Sequence, residues 1–232
     1  MGGNVTATNK KTNIAVSAEK IPIKEIGRKD FIDVFIKIFK KMNAEFYSKF
    51  KKKIWVDESH LTSGFIFNGS TSFIMDPSYS DDEIIKHKPT SGDLDIIVPE
   101  ELKEDLWHYL DSIEGKEIIP GAIYHGSNRP TVSSITDQIN GLFIVTFPNG
   151  VTAKAQVDFE LLPFETDNSP STWAKFSHSS SFEDTKTSVD IKEELIQCYY
   201  DEITKKYYYI EIINGKETKG KEVPKNLIIL EI

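Results

Sequence analysis

Three aspartates lie in apolar segments of the sequence. Burying an ionised carboxylate there costs free energy unless a cation or a hydrogen-bonding partner contacts it. Asp93 and Asp95 are separated by one residue in an apolar, β-branched segment that runs to Val98, and Asp158 has apolar neighbours on both sides. Side chains at positions i and i+2 of a strand share a face, so the first two carboxylates would point the same way. Burial of such groups requires a cation or a hydrogen-bonding partner. Three that converge from two strands would offer Mg²⁺ the hard oxygen ligands it prefers.

The pair by itself carries little information, because 16 aspartates in 232 residues produce about one Asp-x-Asp by chance. Other residues nearby in the sequence make the pair more informative. Gly69 and Ser70 follow the apolar segment 64–67, and a small residue after a strand lets backbone N–H groups approach phosphate oxygens. Two metal ions held about 3.5–4 Å apart would activate an attacking hydroxyl and stabilise a leaving pyrophosphate.

The elements that must position these residues indicate an α+β fold with a mixed or antiparallel sheet. Helical spacing of apolar residues predicts an N-terminal helix over 28–53, and a proline with acids in the first turn predicts a helix over 99–113. Strands are expected at 64–67 and 93–98, with a hairpin formed by 142–147 and 151–162. Loops are expected at 76–91 and 166–190, followed by a short C-terminal helix over 191–200 and a last hairpin that turns at Asn214 and Gly215.

The order of these motifs resembles the DNA polymerase β-like nucleotidyltransferase superfamily, and most of all the nucleotidyltransferases of tailed bacteriophages. The matching segments are Gly69-Ser70-Thr71, Ser91-Gly92-Asp93-Leu94-Asp95, Gln156-Val157-Asp158 and Trp173-Ala174-Lys175-Phe176. They span roughly residues 60–180. Residues 1–20, which are polar and lack periodicity, predict a flexible tail. The remainder is expected to form a catalytic core over 21–165 and a C-terminal extension over 166–232 that packs on the core.

The resemblance also implies a reaction and a role for each matched residue. A nucleotide would be transferred from an NTP, with ATP expected, to a hydroxyl of RNA, a nucleotide, a protein or a small molecule, and pyrophosphate would be released. Asp93 and Asp95 would hold both metal ions, Mg²⁺ or alternatively Mn²⁺, while Asp158 would complete one site and take the hydroxyl proton. The nucleotide would be bound by Gly69, Ser70, Thr71 and Lys175. The alternative is a catalytically inactive phage factor that uses the same fold to bind a nucleotide or a partner.

The charge is distributed unevenly along the chain. The net charge is -8, yet residues 1–56 hold 13 Lys and Arg against 5 Asp and Glu, whereas residues 57–232 hold 15 against 31. The basic N-terminal third is open to two interpretations, a solvated helix face or a tract that binds an RNA acceptor. A single cysteine, Cys198, and no apolar stretch of membrane-spanning length predict no membrane contact and a cytoplasmic location, which is the host cytoplasm if the protein is phage-encoded.

Overall fold

The structure is a computed structural model that describes residues 5–128, 135, 138–164, 184–191, 194–201, 206–213, 216–224 and 228–231. The chain divides into two compact units, residues 1–171 and residues 172–232. The division falls close to the boundary at 165/166 that the sequence suggests. The first unit contains all six α-helices of the described chain and two of its three sheets.

The helices of the first unit are α1 (Ile23–Ile26), α2 (Arg28–Phe50), α3 (Ser59–Thr62), α4 (Gly69–Met75), α5 (Asp81–His87) and α6 (Lys103–Ile113), the last preceded by a 3₁₀ turn over Glu100–Leu102. Its strands are β1 (Thr6–Thr8), β2 (Ala15–Ser17), β3 (Leu94–Pro99), β4 (Glu117–Ile119), β5 (Ala122–Ser127), β6 (Gln138–Thr146) and β7 (Thr152–Leu162). The predicted helices over 28–53 and 99–113, the strand over 93–98 and the hairpin of β6 and β7 are therefore confirmed.

A mixed five-stranded sheet organises the first unit, in the order β3-β7-β6-β5-β4. Strand β3 runs parallel to β7, and every other neighbouring pair is antiparallel. A strand that is covered on both faces reads as a continuous apolar run, and Ile96, Ile97 and Val98 of β3 are all buried. The sheet and its helices confirm the predicted α+β class with a mixed sheet.

Helix α2 supplies the largest apolar face packed in this unit. Phenylalanines at 31, 35, 39 and 46 recur at helical spacing and are fully buried. Phe39 contacts the rings of Trp55 and Phe67 at centroid distances of 5.6 and 6.0 Å. Each such side chain contributes about 2–3 kcal/mol through burial. Phe67 lies two residues before Gly69, so the core fixes the chain close to the start of α4.

The first residues of the chain form a hairpin, and the prediction of a flexible tail over 1–20 is wrong for residues 6–17. Strands β1 and β2 pair in antiparallel fashion from Thr6 with Ser17 to Thr8 with Ala15. Ala7 and Ala18 pack on Leu142 of β6. The polar composition hides this hairpin, because its stability comes from contacts with residues more than a hundred positions away.

Two further local predictions fail in the first unit. Residues 64–67 form a turn, with Gly64 at φ +77°, and only an isolated bridge joins Phe67 to Ile96. A run of four apolar residues is too short to distinguish a strand from other buried backbone. The predicted loop over 76–91 contains α5, which begins with a capping box formed by Ser80 and Glu83.

The second unit is a five-stranded antiparallel sheet in the order β11-β10-β9-β8-β12. Its strands are β8 (Asp184–Ile191), β9 (Glu194–Asp201), β10 (Lys206–Ile213), β11 (Lys216–Glu222) and β12 (Ile228–Glu231). The predicted helix over 191–200 is wrong, since β9 pairs with β8 and β10, and β8 occupies the end of the predicted loop over 166–190. The strands of the last hairpin are confirmed. Within the described residues, no helix is long and apolar enough to cross a membrane.

Candidate metal centre

The register of two parallel strands brings the three aspartates together. Asp95 of β3 lies directly beside Asp158 of β7, and Asp93 precedes Asp95 by two residues and shares its face. One carboxylate oxygen of each residue lies within 4.8 Å of those of the other two. Neighbouring parallel strands are close enough to place such side chains in contact. The convergence that the sequence predicts from two strands is confirmed.

The same face of β7 carries a row of buried polar groups. Gln156, Asp158 and Glu160 alternate with apolar residues, and each is at most 7% exposed. Asn140 of β6 lies beside Asp158 in the antiparallel register. Its Nδ2 donates to Asp158 Oδ1 at 2.7 Å, and Gln156 Nε2 donates to both oxygens, at 2.9 and 3.0 Å. Amide donors of this kind stabilise the ionised form of a carboxylate.

The first residue of α4, Gly69, lies against the carboxylate of Asp95. Gly69 has φ +53°, and a Cβ at this position would lie 2.6 Å from Asp95 Oδ2. Only glycine adopts this conformation freely, and only glycine allows so close an approach to the carboxylate. The buried Thr71 hydroxyl accepts a hydrogen bond from the backbone N–H of Asp95 at 2.9 Å. Helix α4 is thereby tied to β3, which carries Asp95 and begins directly after Asp93.

Asn68 and Glu160 extend the polar cluster behind the aspartates. Asn68 is fully buried and donates from Nδ2 to Glu160 Oε2 at 2.7 Å, and its backbone N–H donates to the carbonyl oxygen of Asp95 at 3.1 Å. Among the described residues, Asn68 Oδ1 has no hydrogen-bond partner. An unsatisfied buried acceptor is rare in a folded protein and is costly to maintain.

Burial raises the pKa values of the three carboxylates, and repulsion by neighbouring acids adds to this at Asp95 and Asp158. The pKa of Asp95 is raised to about 8, first by burial and then by the negative charges of Asp93, Glu160 and Asp158. Burial also raises the pKa of Asp93. Burial raises the pKa of Asp158 as well, although the amides of Asn140 and Gln156 act in the opposite direction. Within the part of the chain that the structure describes, no lysine, arginine or histidine forms an ion pair with these three aspartates.

These properties fit a divalent cation. Three carboxylate oxygens within 4.8 Å of one another match the hard donor set that Mg²⁺ selects, and a bound cation would offset the burial and repulsion that raise the pKa of Asp95. A cation here would also compensate for the cost of burying negative charge. Asp93, Asp95 and Asp158 would hold the metal.

The structure describes three of the four other predicted site residues, Gly69, Ser70 and Thr71. Gly69 lies at the centre, and Thr71 serves to anchor β3 through its hydroxyl. Ser70 is half-buried in the first turn of α4. Lys175, with the Trp173 segment, lies outside the described residues.

Sequence reasoning missed Asn68, Asn140, Gln156 and Glu160. A signal for two of them was present, because polar residues at 156, 158 and 160 alternate with apolar ones in a strand whose opposite face is apolar.

The basic N-terminal third is engaged in part by the protein itself. The Nζ atoms of Lys41 and Lys52 pair with Glu45 and Asp105 at 3.3 and 2.8 Å, and Lys49 Nζ lies 3.4 Å from the carbonyl oxygen of His108. Such exposed contacts contribute little to stability and leave the lysines open to solvent.

Comparison of the chain with protein-family models, with curated proteins and with solved structures yields no match. The mixed sheet and the carboxylate centre therefore stand on their own geometry as the basis for a functional assignment.

Proposed function

We propose that this protein is a nucleotidyltransferase that depends on Mg²⁺ and moves an NMP from an NTP to a hydroxyl acceptor. The observation that carries the proposal is the convergence of Asp93, Asp95 and Asp158 on neighbouring parallel strands, with Gly69 pressed against one of them. A nucleotide triphosphate is itself polyanionic, so an acidic pocket can receive it only together with cations.

The bonds in the proposed reaction balance without any further reactant. A bond forms between the acceptor oxygen and the α-phosphorus, and the bond from that phosphorus to the bridging oxygen breaks, so that its electron pair leaves with pyrophosphate. The hydroxyl proton goes to a carboxylate oxygen of Asp158, whose pKa is raised by burial. When bound, Mg²⁺ would neutralise charge on the phosphates and lower the pKa of the acceptor hydroxyl.

The chain's own residues bind and orient the reactants in this proposal. Asp93 and Asp95 would hold the cation, which when bound would offer the triphosphate a positive charge. Gly69 lies against Asp95, and the triphosphate would bind at the first turn of α4, which Gly69, Ser70 and Thr71 form. The exposed lysines of α2 attract an RNA acceptor.

Label transfer from α-labelled NTPs tests the proposal. The full chain is incubated with each NTP in Mg²⁺, first with total RNA and then with protein extract, and label in the acceptor is measured. Asp158→Asn should lower transfer about 10³-fold or more, because it removes both a ligand and the proton acceptor. Asp82→Asn is the matched control, since Asp82 is exposed in α5. The control should transfer at the rate of the unaltered protein.

Two results would contradict the proposal. Undiminished transfer by Asp158→Asn, at an unchanged melting temperature, would show that the carboxylate centre is not the site of reaction. Absence of transfer to any acceptor, together with Mg²⁺-dependent binding of an NTP, would instead support the non-catalytic nucleotide-binding alternative.

A further inference from the structure

Two amide side chains converge on the carboxylate of Asp158. Asn140 Nδ2 donates to Oδ1 at 2.7 Å, while Gln156 Nε2 lies 2.9 Å from Oδ1 and 3.0 Å from Oδ2. A carboxylate offers about two acceptor positions on each oxygen. Oδ1 therefore has both positions occupied by amides, and Oδ2 keeps at least one.

We infer that Gln156 and Asn140 are positioning residues, which anchor Oδ1 of Asp158 and present Oδ2 to the cation that Asp93 and Asp95 share. The inference rests on the proposed metal centre and adds to it the groups that set the geometry of one ligand. Neither amide needs to touch the metal or the nucleotide. Groups that orient a ligating carboxylate in this way typically change metal affinity by about 10–100-fold when removed.

The orientation of Gln156 is fixed in turn by the N-terminal hairpin. The backbone N–H of Val5 donates to Gln156 Oε1 at 3.1 Å. Because a backbone N–H can only donate, the amide oxygen must face Val5 and the NH₂ group must face Asp158. The carbonyl oxygen of Val5 accepts from the N–H of Ala18 at 2.8 Å, so the hairpin holds Val5 in place.

A continuous set of contacts thus leads from the hairpin to the centre. Ala7 and Ala18 seat the hairpin on β6, Val5 orients Gln156, and Gln156 orients Asp158. The hairpin lies in the segment that the sequence predicts to be a flexible tail. Its role in this account is to hold one ligand of the centre in its working orientation.

Mn²⁺ affinity measured by electron paramagnetic resonance on the full chain tests the inference. Gln156→Met keeps the length of the side chain and removes its donor and acceptor, and we expect the dissociation constant for Mn²⁺ to rise about 10–100-fold. Asn149→Ala is the matched control in the same hairpin of β6 and β7. Its Nδ2 donates to the carbonyl oxygens of Glu25 and Ile26 at 2.8 and 3.3 Å, far from the aspartates in the register of the hairpin. The control should lose stability and keep its Mn²⁺ affinity.

Further variants keep the test decisive. Asn140→Ala removes the second donor from a half-buried position, and we expect it to weaken Mn²⁺ binding even if Gln156→Met fails to fold. Val5→Pro removes the N–H that orients Gln156, whereas Val5→Ala retains it, so only the proline variant should bind Mn²⁺ several-fold more weakly.

The failure of this inference differs from failure of the metal centre itself. If Gln156→Met and Asn140→Ala fold and bind Mn²⁺ as tightly as the unaltered protein, the positioning role is overturned and the centre stands. If the unaltered protein shows no saturable Mn²⁺ binding, the proposed function falls and the positioning role falls with it.

Discussion

Two buried asparagines of the first unit have opposite surroundings. Asn43 of α2 uses both ends of its amide: Oδ1 accepts from the N–H groups of Ile54 and Trp55, and Nδ2 donates to the carbonyl oxygen of Trp55 and to Glu58. Asn68, beside the aspartates, uses only Nδ2, and its Oδ1 has no partner among the described residues. Both side chains are at most 1% exposed.

The comparison extends to the charges in each region. Around Asn43 the protein supplies all the hydrogen bonds that the buried amide can make, as expected of a residue that holds a helix against its neighbouring segment. Around Asn68, burial and then the charges of Asp93, Glu160 and Asp158 raise the pKa of Asp95. A closed polar cluster, in which every buried hydrogen-bonding group has a partner, stabilises the fold. An open cluster, which has an unsatisfied acceptor and several like charges, is a candidate site for a ligand.

A substitution of Gly69 should have the largest effect among variants outside the three aspartates, because it breaks the close approach to Asp95. Gly69→Ala introduces a Cβ at 2.6 Å from Asp95 Oδ2 and should displace that carboxylate, with a loss of about 10²-fold in Mg²⁺-dependent transfer. Gly150→Ala is the matched control, because Gly150 also has positive φ but no atom within 4 Å of the added Cβ. The control should lose only about 1 kcal/mol of stability. Equal transfer rates in both variants would show that Gly69 is a turn residue only.

A substitution of Asn43, in the closed cluster, should lower stability and leave metal affinity nearly unchanged. Asn43→Ala leaves the N–H groups of Ile54 and Trp55 without their acceptor, and we expect a loss of about 2 kcal/mol in the free energy of unfolding. Urea denaturation measures this loss, and Mn²⁺ affinity should stay within about twofold of the unaltered protein, because the hydrogen bonds of the Asn43 side chain go to Ile54, Trp55 and Glu58 and not to the aspartates. Weaker Mn²⁺ binding by Asn43→Ala at unchanged stability would contradict this prediction.

The smallest effect is a pH dependence of stability without metal. The folded pKa of Asp95 is about 8, above its ordinary value of 3.8, so between these limits the folded state holds a proton that the unfolded state has released. Stability from this group is present in full below pH 4 and is lost as the pH rises toward 8. Asp95→Asn should flatten this part of the profile and raise the melting temperature by about 3 °C at pH 8 in EDTA. A steeper decline in the variant would contradict the assignment.

The sequence was sufficient to predict the elements that carry the aspartates. Strands β3 and β7 and helix α2 have long, periodic patterns, and the face shared by Asp93 and Asp95 follows from strand geometry alone. The register that places Asp95 beside Asp158 could not be read locally, because it depends on which strands become neighbours. The resemblance supplied that expectation in place of a local signal.

The failures share a physical cause. Residues 191–200 contain good helix formers, yet most of this segment forms β9, in which Cys198 lies opposite Thr187 of β8. Strand pairing in the folded protein overrides the intrinsic helix propensity. The hairpin of β1 and β2 has no apolar periodicity and depends on distant contacts such as that between Val5 and Gln156. Helix α5 is the exception, since its Ser80 and Glu83 capping box is legible in the sequence.

The central claim is that Asp93, Asp95 and Asp158 together hold a divalent cation. Anomalous diffraction from crystals equilibrated with saturating Mn²⁺ tests it most directly. We expect an anomalous peak about 2–2.5 Å from a carboxylate oxygen of each of the three aspartates. Crystals with no peak within coordinating distance of any of them would contradict it.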